Sequence, residues 1–251
     1  VMHTLITKAI LVVLKLSVSV MTARILGPTG RGIFFTSIQT AGGLNTVGTL
    51  SVGEGLIYRI SRGFVATNQV FGTVALIASF FTLIICSILY LLESFIIEQL
   101  LREAPKGIIS LIYILIPCSI LEYFSASALR GLKLFSIANK VNIVTRINIF
   151  LCLFVALVFL SSDVYTAVLS YTLAIFLNAF LYMLVLFFQS MSSFKVNLVE
   201  VVNVIKYSGK VHVGALLTEV EYRLDVFIIL YFLNAAAVGI YSIGAALAQI
   251  S

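Results

Sequence analysis

Long runs of uncharged, hydrophobic residues dominate the chain. The segments 63–92, 164–194 and 226–251 each exceed 25 residues without an Asp, Glu, Lys or Arg. About 20 apolar residues are enough for a helix to cross the hydrocarbon core of a bilayer. The pattern therefore predicts several membrane-spanning helices.

The borders of these runs predict an all-α, polytopic transmembrane bundle. We expect a six-helix lobe at 1–189, a cytoplasmic interfacial linker at 190–210, and the first helices of a second, truncated lobe at 211–251. The linker is expected to be amphipathic because its hydrophobic residues recur with helical spacing. The predicted helices are 4–26, 33–55, 66–92, 107–129, 141–162, 165–189 and 211–233, with an eighth beginning at 238.

One short stretch of the sequence occurs twice. Residues 26–35 (LGPTGRGIFF) return at 233–242 (LNAAAVGIYS) with three identities, which include Gly32 and Gly239. Each copy joins one predicted membrane helix to the next. Weak similarity at equivalent positions of two halves is typical of transporters built from a duplicated bundle. The second lobe is therefore expected to repeat the first.

Composition and charge agree with a membrane location. The chain is 61% hydrophobic and 10% charged, against about 45–50% and 25% in soluble domains. Eight Lys and Arg residues fall in one set of alternate loops and three, including Arg31, in the other. Because cytoplasmic loops carry the excess, we expect an inner-membrane protein with a cytoplasmic N-terminus. The net charge of +6 then reflects topology and attraction to membrane lipids, and nucleic acid is not an expected partner.

The sequence offers no cofactor motif and no metal site. The three cysteines are irregularly spaced within apolar runs, and His3 and His212 have no second ligand at metal-site spacing. We expect both histidines to lie near helix starts, at the surface or as capping residues.

Basic residues inside the predicted helices are candidate functional groups. A charge near the bilayer centre costs about 2.5–3.5 kcal/mol on insertion scales. Lys15 is at the middle of the first helix, whereas Lys8, Arg24 and Arg146 are nearer helix ends. For each of them the alternative is a structural ion pair or an interfacial side chain.

Acidic residues inside the helices suggest a cation site. Glu221 and Asp225 are four residues apart, and two such carboxylates repel unless a cation, a proton or a base from another helix neutralises them. The alternatives are a coupling-ion site or partners for Lys15. Glu122 is a further proton or sodium candidate, with a hydrogen bond to a neighbouring helix as its alternative. Five basic and five acidic groups balance in the interior, which predicts positive potential only locally, along the first helix.

Three motifs give the chain a resemblance to a known family. They are residues 23–34 (ARILGPTGRGIF), residues 53–55 (GEG), and residues 223–225 (RLD) leading into 231–242 (YFLNAAAVGIYS). With them the chain resembles the Wzx-type oligosaccharide flippases of O-antigen and capsule synthesis, in the multidrug, oligosaccharidyl-lipid and polysaccharide exporter superfamily. The resemblance implies two lobes around a central cavity and no enzymatic activity. Members have 12 or 14 helices, so we expect this chain to be a fragment.

The resemblance implies roles for the charged residues. Lys15 and Arg24, with Lys8 and Arg146, would bind the undecaprenyl-pyrophosphate head group of a lipid-linked oligosaccharide. Asp225, Glu221 and Glu122 would bind the coupling ion during alternating access. The partners implied are the lipid-linked oligosaccharide and the glycosyltransferases and polymerase of the same pathway.

Three other functions remain open on sequence grounds. One is a drug or cation exporter of the same superfamily, which needs an acidic cavity. Another is a membrane glycosyltransferase or polymerase, although the longest loop, about 190–210, carries no recognisable acid–base pair. A third is a scaffold for glycosyltransferases.

Overall fold

The computed structural model describes the backbone of residues 2–191 and 194–248, and the side chains of residues 10–191, 194–212, 214 and 224–248. Within these ranges the chain is helical and contains no strand, so the predicted all-α bundle is confirmed. The helices are α1 Met2–Gly48, α2 Val52–Ser61, α3 Thr67–Phe95, α4 Ile108–Gly131, α5 Phe135–Val155, α6 Val164–Gln189, α7 Leu198–Phe232 and α8 Ala235–Ala248; π-helical turns Ile96–Leu100 and Ala156–Leu160 extend α3 and α5.

Helix α1 is a hairpin of two arms, residues 2–26 and 28–48. Gly27 separates them with φ 68° and ψ −180°, a conformation that glycine adopts without a Cβ clash. Pro28 then begins the second arm, where its fixed φ and missing N–H suit the first helical position. Because Pro28 starts a helix immediately, the second arm begins five residues earlier than the sequence predicts.

The predicted second helix is interrupted after Gly48. Leu50 and Ser51 have φ of 49° and 55°, in the left-handed region that non-glycine residues rarely occupy. The chain resumes as α2, which packs between α4 and α7. Gly53 and Gly55 lie at these two contacts, where a Cβ would overlap Tyr123 and Ser208, respectively.

Among the described residues, five helical segments are long and apolar enough to cross a membrane. Side chains such as Leu91 and Phe159, which are 80% and 71% exposed, lie on their outer surfaces, as expected where lipid covers a bundle. The chain is therefore a multi-pass membrane protein. The segments are Ile10–Gly48, Thr67–Leu100, Ile108–Gly131, Phe135–Leu160 and Val164–Gln189, and the first contains both arms of α1.

Helix α7 continues through the predicted linker. It runs unbroken over Leu198–Phe232 and begins at Asn197, whose side chain accepts hydrogen bonds from the N–H groups of Val199 and Glu200. From residue 198 onward, one helix thus contains both the predicted interfacial helix and the predicted first helix of the second lobe. The division of the chain into lobes and a linker stays a prediction.

The loop before α6 carries a capped helix start. The Asp163 carboxylate accepts a hydrogen bond from the Thr166 N–H at 2.7 Å, the usual arrangement for an N-cap aspartate. Hydrogen bonds from the Ser161 hydroxyl and the Thr166 backbone lower the pKa of Asp163. The negative charge at this helix start is also favourable to the helix dipole.

Candidate functional site

A cavity of about 630 Å³ lies between the two arms of α1, α5 and α8. This volume is within the range of about 300–1,000 Å³ found for ligand pockets. Most of its lining is aliphatic or aromatic, and its basic side chains are Lys15 on the first arm, Arg31 on the second arm and Arg146 on α5. No acidic residue lines it among the residues whose side chains are described. We call it the central cavity.

Arg31 is the most buried of these basic groups, with 5% of its surface exposed. Its Nε donates to the Ser242 hydroxyl of α8 at 3.2 Å, and its terminal nitrogens donate to the hydroxyls of Thr22 and Ser19 on the first arm. Its guanidinium carbon is 5.9 Å from the centre of the Phe34 ring. Thus hydroxyls and ring faces surround this cation, and no described carboxylate lies within ion-pair distance.

Lys15 and Arg146 are more exposed and complete the positive character of the central cavity. The basic groups come from both arms of α1 and from α5, so the positive region is wider than the first-helix strip that the charge balance predicts. The difference arises because two of the acidic residues expected to offset it do not line this cavity: Glu122 lines another cavity, and Asp225 accepts a hydrogen bond from Tyr241 of α8. The side chains of Glu219 and Glu221 lie outside the described residues.

A second cavity, of about 400 Å³, lies inside the first bundle between α4, α5 and α6. We call it the side cavity. It shares Asn142, Arg146 and Tyr171 with the central cavity, so the two adjoin across α5 and α6. Glu122 and Arg130 are its other ionisable groups besides tyrosines.

The two copies of the repeated stretch lie against each other at one end of the central cavity. A Cβ on Gly32 would overlap the backbone oxygen of Ala235, and a Cβ on Gly239 would overlap the backbone oxygen of Pro28. Ala235 is 207 residues after Pro28, and Gly239 is 207 residues after Gly32. This reciprocal contact is the pattern that a two-fold relation between equivalent segments produces, and it supports the predicted repeat.

The model of one protein family, "Polysaccharide biosynthesis protein", matches the chain over residues 2–251. The chain belongs to this family. The family contains Wzx-type flippases and related polysaccharide biosynthesis exporters, which confirms the resemblance found in the sequence. No curated protein and no solved structure is significantly similar to the chain.

In this polysaccharide biosynthesis protein the predicted head-group residues separate into three groups. Lys15 and Arg146 meet at the central cavity. Arg24 is exposed near the end of the first arm and does not line that cavity. The side chain of Lys8 lies outside the described residues.

The predicted coupling-ion residues are not brought together in the part of the chain that is described. Glu122 lines the side cavity. Asp225 is half-buried and accepts hydrogen bonds from the Tyr241 hydroxyl of α8 and from the Val226 N–H at 2.8 Å. The side chain of Glu221 lies outside the described residues, so its predicted role beside Asp225 stays a prediction.

Arg31 is the site residue that sequence reasoning missed. The proline and two glycines before Arg31 predict a loop, which places Arg31 among the basic residues of the outer loops. The structure corrects this, because Pro28 starts the second arm and turns Arg31 inward. Proline at the first helical position was the available signal, together with the place of Arg31 inside the repeated stretch.

The polysaccharide biosynthesis protein has a second contact between its first bundle and α7, made by side chains. Arg59 of α2 pairs with Glu200 at 2.6 Å. Tyr58 stacks on Tyr207 with ring centres 4.2 Å apart.

His212 belongs to this contact and differs from the prediction. The Ser51 hydroxyl lies 3.0 Å from its Nδ1, and both residues are buried. His212 is therefore an interior residue of α7 rather than a surface or capping residue near a helix start. The difference arises because α7 begins at Leu198, more than ten residues before the predicted start.

Proposed function

We propose that this family member is a flippase that moves an undecaprenyl-pyrophosphate-linked oligosaccharide across the cytoplasmic membrane for O-antigen, capsule or exopolysaccharide synthesis. It acts as a transporter and not as an enzyme. The observation that carries the proposal is the gathering of Lys15, Arg31 and Arg146 around one cavity, with no acidic residue in its described lining.

A pyrophosphate suits the central cavity on chemical grounds. Guanidinium groups bind phosphate oxygens through paired, charge-assisted hydrogen bonds. Arg31 now donates to neutral hydroxyls, which are weaker acceptors than a phosphate oxygen. The aliphatic part of the lining lies beside the lipid-facing arms, where the polyprenyl chain can remain in an apolar environment.

The two contacts of the first bundle with α7–α8 suggest how access alternates. With the N-terminus in the cytoplasm, the Gly32–Gly239 contact lies towards the outer surface and the α2–α7 contact towards the cytoplasm. Separating the first contact would open the central cavity outward. Because Arg31 bonds to Ser242 next to this contact, an anion that recruits the Arg31 donors weakens the outer contact as it binds.

Coupling to an ion is proposed at the acidic residues outside the central cavity. Glu122 shares the side cavity with Arg146, which also lines the central cavity. Protonation of Glu122 would therefore change the electric field at a head-group ligand. Asp225 and Glu221 remain proposed sites for a coupling cation on α7.

Complementation of a strain that lacks this gene tests the proposed function. Lys15→Glu is expected to abolish surface polysaccharide while membrane insertion stays normal, because it reverses a charge at the central cavity. Lys106→Glu, in an exposed loop before α4, is the matched control and should keep polysaccharide. Normal polysaccharide with Lys15→Glu would contradict the proposal.

Transport in vesicles separates the flippase from a drug exporter. The protein is expected to move the lipid-linked oligosaccharide and not an organic cation such as ethidium. Transport of ethidium without transport of the oligosaccharide would replace the flippase by the exporter. A cavity lined by basic groups disfavours that result, because like charges repel.

A further inference from the structure

We propose that the side cavity binds the sugar next to the pyrophosphate. Helices α4, α5 and α6 then recognise the glycan while the central cavity holds the head group. The inference rests on the proposed function, since it concerns the same lipid-linked substrate. It assigns a ligand class, a pyranose or short oligosaccharide, to a cavity between α4, α5 and α6.

The side cavity has the chemistry that sugars require. Nine of its twelve lining residues are amides, hydroxyl-bearing, tyrosine or charged side chains, so it is unsuited to a polyprenyl chain. Amides both donate and accept hydrogen bonds, as sugar hydroxyls do. Tyr123 and Tyr171 add aromatic faces, on which the apolar face of a pyranose can pack.

Two amides of α5 carry the argument furthest. Asn139 and Asn142 line the side cavity, and neither side-chain amide forms a hydrogen bond with any described residue. Asn148, two turns further along α5, instead donates to Asn178 at 2.8 Å. Asn139 and Asn142 are half-exposed at the cavity surface, so their amide donors and acceptors are accessible to a ligand. Asn148 is engaged in packing, whereas these two amides can bond to sugar hydroxyls.

The two cavities adjoin, as binding of a head group and of the sugar attached to it requires. A sugar is attached covalently to the pyrophosphate, so it must lie beside the head group. Arg146, Asn142 and Tyr171 form the wall common to both cavities. A pyrophosphate held at Arg31 and Arg146 therefore has its first sugar beside these shared residues.

Charge argues against an organic cation as the occupant. The side cavity has one carboxylate, Glu122, and two guanidinium groups, Arg130 and Arg146. Arg130 already donates to the Ser127 hydroxyl at 3.1 Å. The net positive character suits a neutral or acidic sugar.

Binding of two lipids to the full chain in lipid nanodiscs tests the inference. The probes are undecaprenyl pyrophosphate and the lipid-linked oligosaccharide purified from cells that lack this gene. Wild-type protein is expected to bind the oligosaccharide lipid about tenfold more tightly, as one or two additional amide hydrogen bonds would produce. Asn139→Ala should weaken binding of the oligosaccharide lipid about two- to twelvefold and leave binding of undecaprenyl pyrophosphate unchanged.

Matched variants make the test specific. Ser136→Ala changes an exposed residue on the same helix, outside both cavities, and should alter neither affinity. Asn139→Gln keeps an amide and should recover part of the oligosaccharide affinity. Equal wild-type affinity for both lipids, or equal losses for both with Asn139→Ala, would overturn the glycan site and leave the pyrophosphate site standing. Binding of neither lipid would overturn the proposed function itself.

Discussion

The central and side cavities share a wall on α5 and α6 but differ in chemistry and surroundings. The central cavity is mainly apolar, with basic groups from three helical segments, and α8 closes one side of it. Most residues that line the side cavity are polar or charged, and the cavity lies between α4, α5 and α6. The central cavity thus has basic groups and no described carboxylate, whereas the side cavity combines Glu122 with Arg130, Arg146 and two amides.

This difference has a mechanical consequence. A cavity between repeats changes shape when the repeats move, as alternating access requires. A cavity within one packed bundle keeps its shape, because close-packed interiors deform little. Under the proposed function, the head group would be held in the cavity that changes shape and the sugar in the cavity that keeps its shape.

The largest expected effect concerns the buried cation of the central cavity. Arg31→Gln should weaken binding of undecaprenyl pyrophosphate about 10- to 150-fold, because hydrogen bonds to charged groups contribute about 1.5–3 kcal/mol. Arg31→Lys keeps the charge without the forked geometry and should lose less. A lipid-binding titration measures both. Arg102→Gln, exposed in the loop after α3, is the control, and an equal loss there would remove the special role of Arg31.

The next effect concerns the contact that closes the central cavity. Gly239→Ala forces a Cβ into the backbone of Pro28, and overpacking of this kind costs about 1–3 kcal/mol. Gly244→Ala, on the same helix with open space around it, should have no such cost. Thermal unfolding of the two variants in detergent makes the comparison. Equal unfolding temperatures would show that the close approach of the repeats is unimportant.

A smaller effect on lipid binding distinguishes Arg146, which lines both cavities, from Arg130, which lines only the side cavity. Arg146→Gln should weaken binding of both lipids about 1.4- to fivefold, since an exposed charge contributes about 0.2–1 kcal/mol. Arg130→Gln should leave undecaprenyl pyrophosphate binding unchanged, because Arg130 lines only the side cavity. Parallel titrations measure this, and identical profiles for the two variants would remove the distinction between the cavities.

The smallest effect concerns the packing of the wall itself. Asn148→Ala removes the hydrogen bond to Asn178, and such bonds in membrane bundles contribute about 0.6 kcal/mol on average. We expect slightly lower stability in denaturant titrations and unchanged affinity for either lipid. Leu151→Ala, half-exposed on the same helix, is the control. A loss of affinity with Asn148→Ala would place this bond in ligand binding rather than in packing.

The helical class could be predicted because long uncharged runs determine it almost alone. Lys15, which lines the central cavity, could be singled out for the same reason, since a charge in such a run is costly. Arg31 is harder to predict, because proline and glycine, as at Pro28, Gly30 and Gly32, are also common in loops. Pro28 at the first helical position is the available signal, and the structure shows that the helix has already begun.

Other features depend on contacts between distant residues. The break at Leu50 and Ser51 has no proline or glycine at its centre, and it forms where Ser51 meets His212, 161 residues away. Asn139 and Asn142 carry no charge, so a search for interior charges passes over them. Their proposed role in glycan binding depends on the cavity between α4, α5 and α6, which only the folded structure shows.

Translocation in proteoliposomes tests the central claim most directly. Vesicles would contain the lipid-linked oligosaccharide in both leaflets, and a sugar-cleaving enzyme added outside would report how fast inner-leaflet lipid becomes accessible. Wild-type protein and Arg102→Gln are expected to give complete digestion, whereas Arg31→Gln should stop at the outer-leaflet fraction. Complete digestion with Arg31→Gln at the wild-type rate would contradict the claim that the cations of the central cavity carry the pyrophosphate.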